Sequence, residues 1–264
     1  MQGSANLNIM ITAARKAGRA LVKDFREVEN LQASSKSAGD FVSRADIAAE
    51  HIIREALTEA RPNYGWLGEE TEPMEGKDPT RRWIVDPLDG TTNFLHGLPH
   101  WAVSIALEFK GEIVSAVVFD PAKDELFYAE KGLGTFMNDR RMRVSNRSTM
   151  IECIFATGVP FASKKTLPAM LQDLAVLMPA CAGVRRWGAA SLDLAYVAAG
   201  RYDGFWEREL QPWDIAAGLL LVREAGGFTA PLRDGENILE RGEVIAANSA
   251  IFDNFSKLLR NRAG

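Results

Sequence analysis

The sequence predicts a layered protein, an α+β / α/β sandwich of helices and sheets. Two segments of helical periodicity open the chain, strand-like segments joined by tight turns follow, and strands alternate with helices after about residue 145. With 264 residues, 47% of them hydrophobic and 25% charged, the chain can bury a large core. We predict two closely packed halves, 1–145 and 146–264, with no flexible linker between them.

The N-terminal helices are predicted from their apolar residues, which recur every three or four positions. This spacing predicts a first helix over residues 7–25 and a second over residues 45–60, with Ser43 as the N-cap of the second. The stretch between them, residues 32–40, is rich in small polar residues. We predict a mobile loop there.

The middle of the chain has the pattern of an antiparallel meander. Short turn sequences, Lys110-Gly111 and Asp120-Pro121, separate segments rich in β-branched and aromatic residues. The predicted strands cover residues 82–85, 101–109, 112–119 and 125–129.

The second half alternates between strand and helix, which is typical of an α/β arrangement. Strands are predicted at residues 151–157, 184–187 and 202–206, and helices at residues 166–177, 191–199 and 214–225. A cleft between the two halves is the expected ligand site.

Composition argues against several classes of protein. The net charge of −4 provides no basic field for nucleic acid, so no direct nucleic-acid partner is expected. Cys153 and Cys181 are far apart and form no C-x-x-C motif, which fits a reducing cytoplasm. No apolar run reaches the roughly 18 residues of a membrane span, and no secretory leader is evident. We therefore expect a cytoplasmic protein without a membrane partner.

Two aspartates stand three residues apart where an apolar strand breaks. Asp86 precedes Pro87, which lacks an N–H and is predicted to end the strand. Asp89 precedes Gly90, which lets the backbone approach a ligand closely. Thr91 falls where a helix is predicted to begin, and helix N-termini attract phosphate. We interpret this segment as a divalent-metal and phosphate site.

Further acids stand in similar settings. Glu69 and Glu70 follow the apolar pair Trp66-Leu67, and Asp214 lies at the start of a predicted helix. Taken singly, each acid could be a cap, a turn former or a solvated loop residue. Together they suggest Mg²⁺, because carboxylate oxygens are its preferred protein ligands. Two such ions could clamp the attacking and leaving oxygens during hydrolysis of a phosphate monoester.

These motifs, in this order, resemble the inositol monophosphatase family of magnesium-dependent, lithium-sensitive sugar phosphatases, most closely its bacterial members. The resemblance spans nearly the whole chain and rests on residues 39–46, 68–70, 83–94, 213–218 and 224–227. It implies an αβαβα sandwich of the sugar phosphatase type and hydrolysis of myo-inositol monophosphate and related polyol phosphates. It also implies Mg²⁺ as cofactor, two or three ions per subunit, inhibition by lithium and a homodimer.

The resemblance assigns roles to individual residues. The implied metal ligands are Glu69, Asp86, the backbone carbonyl of Leu88, Asp89 and Asp214. Glu69 and Thr91 would activate the water nucleophile, and Asp46 would orient the Thr91 hydroxyl.

Substrate contacts are implied in the same way. The N–H groups of Gly90 and Thr91 would hold phosphate, and Arg185 would border the pocket. Lys36 and Asp40 lie in the loop that closes over the site in relatives and helps to hold the weakest metal. The substrate hydroxyls would meet Asp89, Glu207, Asp214 and the backbone near Ala189 and Ala190.

The sequence departs from the family pattern in two places. Trp187 and Ala189 flank Gly188 where relatives often carry threonine or serine, which puts the sugar contacts there in doubt. Arg44 stands beside Asp46 where a small neutral residue is common, so it either faces solvent or changes the charge near the loop.

Three alternatives stay open. Related enzymes dephosphorylate histidinol phosphate or adenosine 3′,5′-bisphosphate, but they more often carry lysine directly after the Asp-Gly-Thr, where this chain has Thr92-Asn93. A function of another class is that of a binding partner of the transcription machinery, with dispensable catalysis, as in some bacterial relatives.

Overall fold

The computed structural model describes residues 3–27, 33–37, 40–159 and 165–260, and for residues 33–37 and 40–43 it describes backbone only. The helices within these ranges are α1 (Ala5–Phe25), α2 (Arg44–Ala60), α3 (Thr91–Leu95), α4 (Leu167–Leu177), α5 (Ala190–Ala198), α6 (Pro212–Glu224), α7 (Ile238–Arg241) and α8 (Phe252–Arg260). Among the described residues, no helix is both long enough and apolar enough to cross a membrane.

The strands form a hairpin and two larger sheets. They are β1 (Ala33–Ser37), β2 (Asp40–Ser43), β3 (Tyr64–Gly68), β4 (Asp78–Asp89), β5 (Ala102–Phe109), β6 (Glu112–Asp120), β7 (Glu125–Glu130), β8 (Gly134–Met137), β9 (Arg140–Arg141), β10 (Ile154–Thr157), β11 (Gly183–Arg185), β12 (Gly204–Glu207), β13 (Phe228–Ala230) and β14 (Val244–Ala247). A seven-stranded sheet runs in the order β3 to β9, and a five-stranded sheet has the order β11-β10-β12-β14-β13.

Three apolar cores stack these elements into five layers. Neighbouring residues of β4 point to opposite faces of the larger sheet, so Val85 packs against α1 and α2 while Ile84 packs against α5 and α6. On the far side of α5 and α6 lies the five-stranded sheet, which contributes Phe205. Phe155 and Trp206 fill the third core with Phe255 of α8. The layer order is therefore helix, sheet, helix, sheet, helix, which confirms the predicted αβαβα sandwich.

Most predicted elements are present within a few residues of their expected bounds, but the start of the C-terminal half differs. The strand predicted from residue 151 begins at Ile154, because Met150–Glu152 forms a turn of 3₁₀ helix. The last predicted helix begins at Pro212 rather than Asp214, since proline is compatible with the first turn of a helix.

Three predictions in the N-terminal half were wrong. The segment predicted as a loop forms β1 and β2, which pair antiparallel from Ala33 opposite Ser43. β3 was not predicted, and it pairs parallel with β4, so the larger sheet is mixed rather than a pure meander. β4 does not end at Pro87 but continues to Asp89, with a shift in pairing to β5 between Asp86 and Asp89. The proline lies where the pairing is irregular, so its missing N–H costs little.

α6 is attached to the larger sheet by polar contacts as well as by packing. The Thr135 hydroxyl donates to the Leu221 carbonyl at 2.7 Å, and the Ser104 hydroxyl donates to the Trp213 carbonyl at 3.3 Å. The Glu224 carboxylate accepts from the N–H groups of Gly132 and Gly134, both at 2.9 Å. Glu224, the acid of the 224–227 motif, therefore links α6 to the β7–β8 turn.

The α5–α6 contact requires a glycine. A Cβ placed on Gly218 would lie 2.5 Å from the Leu194 side chain. We expect Gly218→Ala to lower the free energy of unfolding by about 1–3 kcal/mol, because overpacking outweighs the gain in helix propensity. Urea denaturation measures the change. In a Leu194→Gly background the same substitution should cost less, because the whole Leu194 side chain, including the Cβ that the new methyl group would meet, has been removed. An equal cost in both backgrounds would contradict this packing argument.

Candidate functional site

Acids from four separate parts of the chain meet at the end of β4. Asp86 is buried, and burial raises its pKa well above the ordinary value. The negative charges of four neighbours, Glu69, Asp89, Asp214 and Asp46, raise this pKa further. These acids therefore lie close enough to repel one another, as the sequence predicted.

The backbone around Asp86 is held by its own side chain. The Leu88 N–H donates to Asp86 Oδ1 at 2.9 Å, and the Leu88 carbonyl accepts from the Thr91 hydroxyl at 3.0 Å. Gly90 has a φ of +94°, which favours glycine, and a Cβ there would lie 3.0 Å from the His100 carbonyl oxygen. This turn leads directly into α3 at Thr91, as predicted.

The Thr91 hydroxyl lies between two acceptors. Besides the Leu88 carbonyl, Asp46 Oδ2 lies 3.2 Å from Thr91 Oγ1. Asp46 is in the first turn of α2 and is 1% exposed, so this pairing joins two segments that are 45 residues apart. The predicted contact between Asp46 and Thr91 is present.

Glu69 follows β3, and its N–H donates to the Val85 carbonyl at 3.2 Å, next to Asp86. In the described part of the chain, one carboxylate oxygen each from Asp46, Glu69 and Glu70 lie within 4.8 Å of one another. The family resemblance gave Glu70 no role of its own. Its position directly after Glu69 in a tight turn brings both side chains to the same acid cluster.

Asp89 contacts the N-terminus of α5. Its Oδ2 accepts from the Ser191 N–H at 2.7 Å and from the Ser191 hydroxyl at 2.5 Å. Burial raises the pKa of Asp89 to about 6, although hydrogen bonds from Ser191, from the Ala190 backbone and from the Leu192 backbone partly oppose the shift. Sequence reasoning missed Ser191, and its place in the first turn of a predicted helix was the one available signal. Ala189 is buried just before this helix.

Asp214 lies in the first turn of α6 and is not the N-cap. Its Oδ2 accepts from the N–H of Gln211, the cap residue, at 2.7 Å. Burial raises the pKa of Asp214 well above its ordinary value, and the charge of Asp89 raises it further. The C-terminal half therefore contributes a half-buried acid to the cluster.

Glu207, at the end of β12, lies at the edge of this cluster. Burial raises its pKa to about 8, with a further rise from Asp89 and a fall from Arg186. A Cβ on Gly158 would lie 1.7 Å from Glu207 Oε1, so the carboxyl group packs directly on the backbone of residue 158. Arg185 is exposed, and its guanidinium donates to the Val184 carbonyl at 3.3 Å. Arg186, which was not predicted, is the arginine whose charge acts on Glu207.

Trp187 lies in the loop before α5. The Trp187 ring lies over His100, with centroids 5.3 Å apart, and is 51% exposed. The Asn93 amide donates to the carbonyls of Trp187 and His100, at 2.7 and 2.8 Å. α3 and this loop are thus joined next to the acid cluster.

Three further residues were singled out from the sequence, namely Lys36, Asp40 and Arg44. The side chains of Lys36 and Asp40 lie outside the described residues. Arg44 is exposed at the start of α2.

The layered fold and the acid cluster are typical of a phosphatase of the sugar phosphatase class. Residues 4–262 match the Inositol monophosphatase family, so the chain belongs to this family. An "Inositol-1-monophosphatase" of Rhizobium meliloti (strain 1021) is 56% identical over 251 residues, which cover 95% of this chain and 94% of that protein. The predicted resemblance and the predicted class of enzyme, a phosphoric monoester hydrolase, are confirmed.

Two further relatives carry another name. The "Nus factor SuhB" of Escherichia coli (strain K12) is 45% identical over 245 residues, covering 93% of this chain and 92% of that protein. A crystal structure of "extragenic suppressor protein suhB" from Bartonella henselae matches with a TM-score of 0.95 at 52% identity. The match covers 98% of this chain and 100% of that chain.

The raised pKa of Glu207 predicts how stability depends on pH in metal-free protein. The folded value is about 8 and the ordinary value is 4.5, so the folded state binds this proton more tightly than the unfolded state. This contribution to stability is complete below pH 4.5 and is lost as pH rises through 8. His100 has the opposite effect on stability, because burial lowers its pKa from 6.5 to about 4. Its contribution to stability is lost as pH falls below 6.5, so it does not affect the range above that pH.

We therefore expect the melting temperature in EDTA to fall as pH rises from 6.5 to 8. Glu207→Gln should make this fall less steep, and the exposed Glu59→Gln should leave it unchanged. Thermal unfolding followed by circular dichroism measures all three. A wild-type melting temperature that is constant or rises over this range would contradict the assignment.

Proposed function

We propose that the protein hydrolyses myo-inositol monophosphate and related polyol phosphates, with Mg²⁺ as cofactor. The observation that carries the proposal is the gathering of acids around the buried Asp86, whose pKa is raised by burial and by neighbouring charges. Membership of the inositol monophosphatase family supports the substrate class. A relative in Rhizobium meliloti is named inositol-1-monophosphatase, which supports it further.

The donors present fit a hard divalent cation. They are oxygen atoms, they converge from separate elements, and their mutual repulsion needs a positive charge to offset it. The residues proposed to hold Mg²⁺, two or three ions per subunit, are Glu69, Asp86, the carbonyl of Leu88, Asp89 and Asp214. When bound, the metal would lower the pKa of a water and offset charge on the phosphoryl group.

The chain's own residues would orient the attacking water and take its proton. The hydroxyl of Thr91 is fixed between Asp46 and the Leu88 carbonyl, so its oxygen can accept a hydrogen bond from water in one orientation. Glu69 is the proposed acceptor of the proton from that water. Its backbone is anchored to β4 through Val85, which keeps the carboxylate beside Asp86.

Substrate binding is proposed at the border between the two halves of the chain. The N–H groups of Gly90 and Thr91 would hold phosphate, while the substrate's hydroxyls would meet Asp89, Glu207, Asp214 and the backbone of Ala189 and Ala190. Arg185 would border the pocket. The raised pKa of Glu207 fits this role, since a protonated carboxyl group can donate to a hydroxyl as well as accept from one.

Glu69→Gln should lower kcat by about 10²–10⁴-fold, because the proton acceptor and a metal ligand are lost together. Phosphate release from inositol-1-phosphate, at saturating substrate and Mg²⁺, measures the effect. Glu75→Gln is the matched control, since Glu75 is exposed in the loop after the same strand. Wild-type turnover in Glu69→Gln would overturn the assignment. Histidinol phosphate and adenosine 3′,5′-bisphosphate, assayed in parallel, should be poorer substrates.

A second function is favoured by the relatives named Nus factor SuhB. We propose that the protein also binds the transcription machinery, through a surface that does not depend on catalysis. Asp86→Asn should abolish hydrolysis yet still capture RNA polymerase subunits from the native lysate as the wild type does. Capture of these subunits by neither protein would contradict this second function.

Further properties are proposed from family membership alone. They are a homodimer, a cytoplasmic location and inhibition by lithium.

A further inference from the structure

Glu50 is a buried acid that the proposed mechanism does not use. It lies on α2 one turn after Asp46 and is 0% exposed. Residues four apart on a helix share a face, so α2 presents both carboxyl groups to the same part of the protein. The Asp46 carboxylate points toward Thr91, whereas the Glu50 carboxylate points toward Glu70 in the turn after β3.

The Glu50 carboxylate holds the turn after β3. Its Oε2 accepts from the Glu70 N–H at 2.7 Å. A Cβ on Gly68 would lie 2.7 Å from the same oxygen and 2.6 Å from the Trp66 indole nitrogen. The backbone of the turn is therefore enclosed between a carboxylate and an indole ring.

Two further contacts fix the same turn. The Trp66 indole N–H donates to the Thr71 hydroxyl at 3.0 Å, and the Glu69 N–H donates to the Val85 carbonyl at 3.2 Å. Glu50 Oε1 is buried and has no hydrogen-bond partner within the described ranges. Within the described part of the chain, the polar contact of the Glu50 carboxyl group is thus the hydrogen bond from the Glu70 N–H.

We propose that Glu50 is a positioning residue that holds Glu69 and Glu70 in the arrangement that binds the divalent metal. The inference rests on the proposed function, since it concerns the same metal site. A hydrogen bond from a backbone N–H to a carboxylate is stronger than one between neutral groups, and here it is sheltered from water. It opposes the repulsion between the carboxylates of Asp46, Glu69 and Glu70, which lie within 4.8 Å of one another.

Loss of the Glu50 carboxylate would lower the affinity for the metal by changing the position of Glu69. The part-buried Glu70 N–H would lose this acceptor, so the turn would relax toward an arrangement that satisfies it. The carboxylates would then separate, and Mg²⁺ affinity would fall. Partners that orient metal ligands are typically worth about 10–100-fold in affinity.

The test compares two substitutions of similar size. Glu50→Met fills the space without accepting a hydrogen bond, whereas Glu50→Gln keeps an oxygen that can accept from Glu70. By isothermal titration of Mg²⁺, Glu50→Met should bind about 10–100-fold more weakly than the wild type. Glu50→Gln should retain wild-type affinity. Glu59→Met, at an exposed position of the same helix, is the control and should bind as the wild type does.

The outcomes that overturn the positioning role of Glu50 differ from the one that overturns the proposed function. Wild-type Mg²⁺ affinity in Glu50→Met would overturn the positioning role, and so would equally weak binding by Glu50→Gln. Should Glu50→Met fail to fold by circular dichroism, Glu50→Ala replaces it under the same criteria. Absence of Mg²⁺ binding by the wild type would instead overturn the proposed function. A purely structural role would lower the melting temperature and leave Mg²⁺ affinity unchanged well below it, which also contradicts the inference.

Discussion

Repulsion between carboxylates clustered around a buried aspartate is the constraint on which this site depends. Asp86 is surrounded by four other acids, and its burial removes the water that would otherwise screen them. Such a cluster holds together only if the elements that carry it are fixed by other forces. Here those forces are three apolar cores, because each acid stands at the end of an element whose body is buried. The stability of the layers therefore maintains an arrangement that the charges alone would disperse.

Hydrogen bonds decide which carboxylate oxygens remain for a ligand. Each of three aspartates uses one oxygen to accept from a nearby backbone N–H: Asp86 from Leu88, Asp89 from Ser191 and Asp214 from Gln211. A bond of this kind favours the charged form and so opposes the effect of burial. It also fixes the side chain, which leaves the second oxygen in a defined direction. The same contacts thus stabilise the turns and present the donors.

The sequence predicted the elements with long, regular patterns and the acids with clear local signals. The helical periodicity was sufficient to predict α1, and the Asp-Pro-Leu-Asp-Gly segment was sufficient to predict its two acids as site residues. β3 was missed because only Trp66 and Leu67 signal it, and β1 was missed because its residues are small and mostly polar. Contacts such as that of Ser191 with Asp89 could not be predicted, since they join residues 102 apart through the packing of two halves.

The substrate side of the site is built differently from the metal side. Trp187 lies in the loop before α5, and its ring is turned onto His100. An indole offers one donor and an apolar face, so it provides a packing surface more than hydrogen bonds. Under the proposed function, recognition of hydroxyl groups would fall to Glu207 and to the backbone at the start of α5. Glu207 is suited to this because it packs on Gly158, where any larger residue would displace its carboxyl group. Discrimination among polyol phosphates would then depend more on the position of the Glu207 carboxyl group than on Arg185 and Arg186.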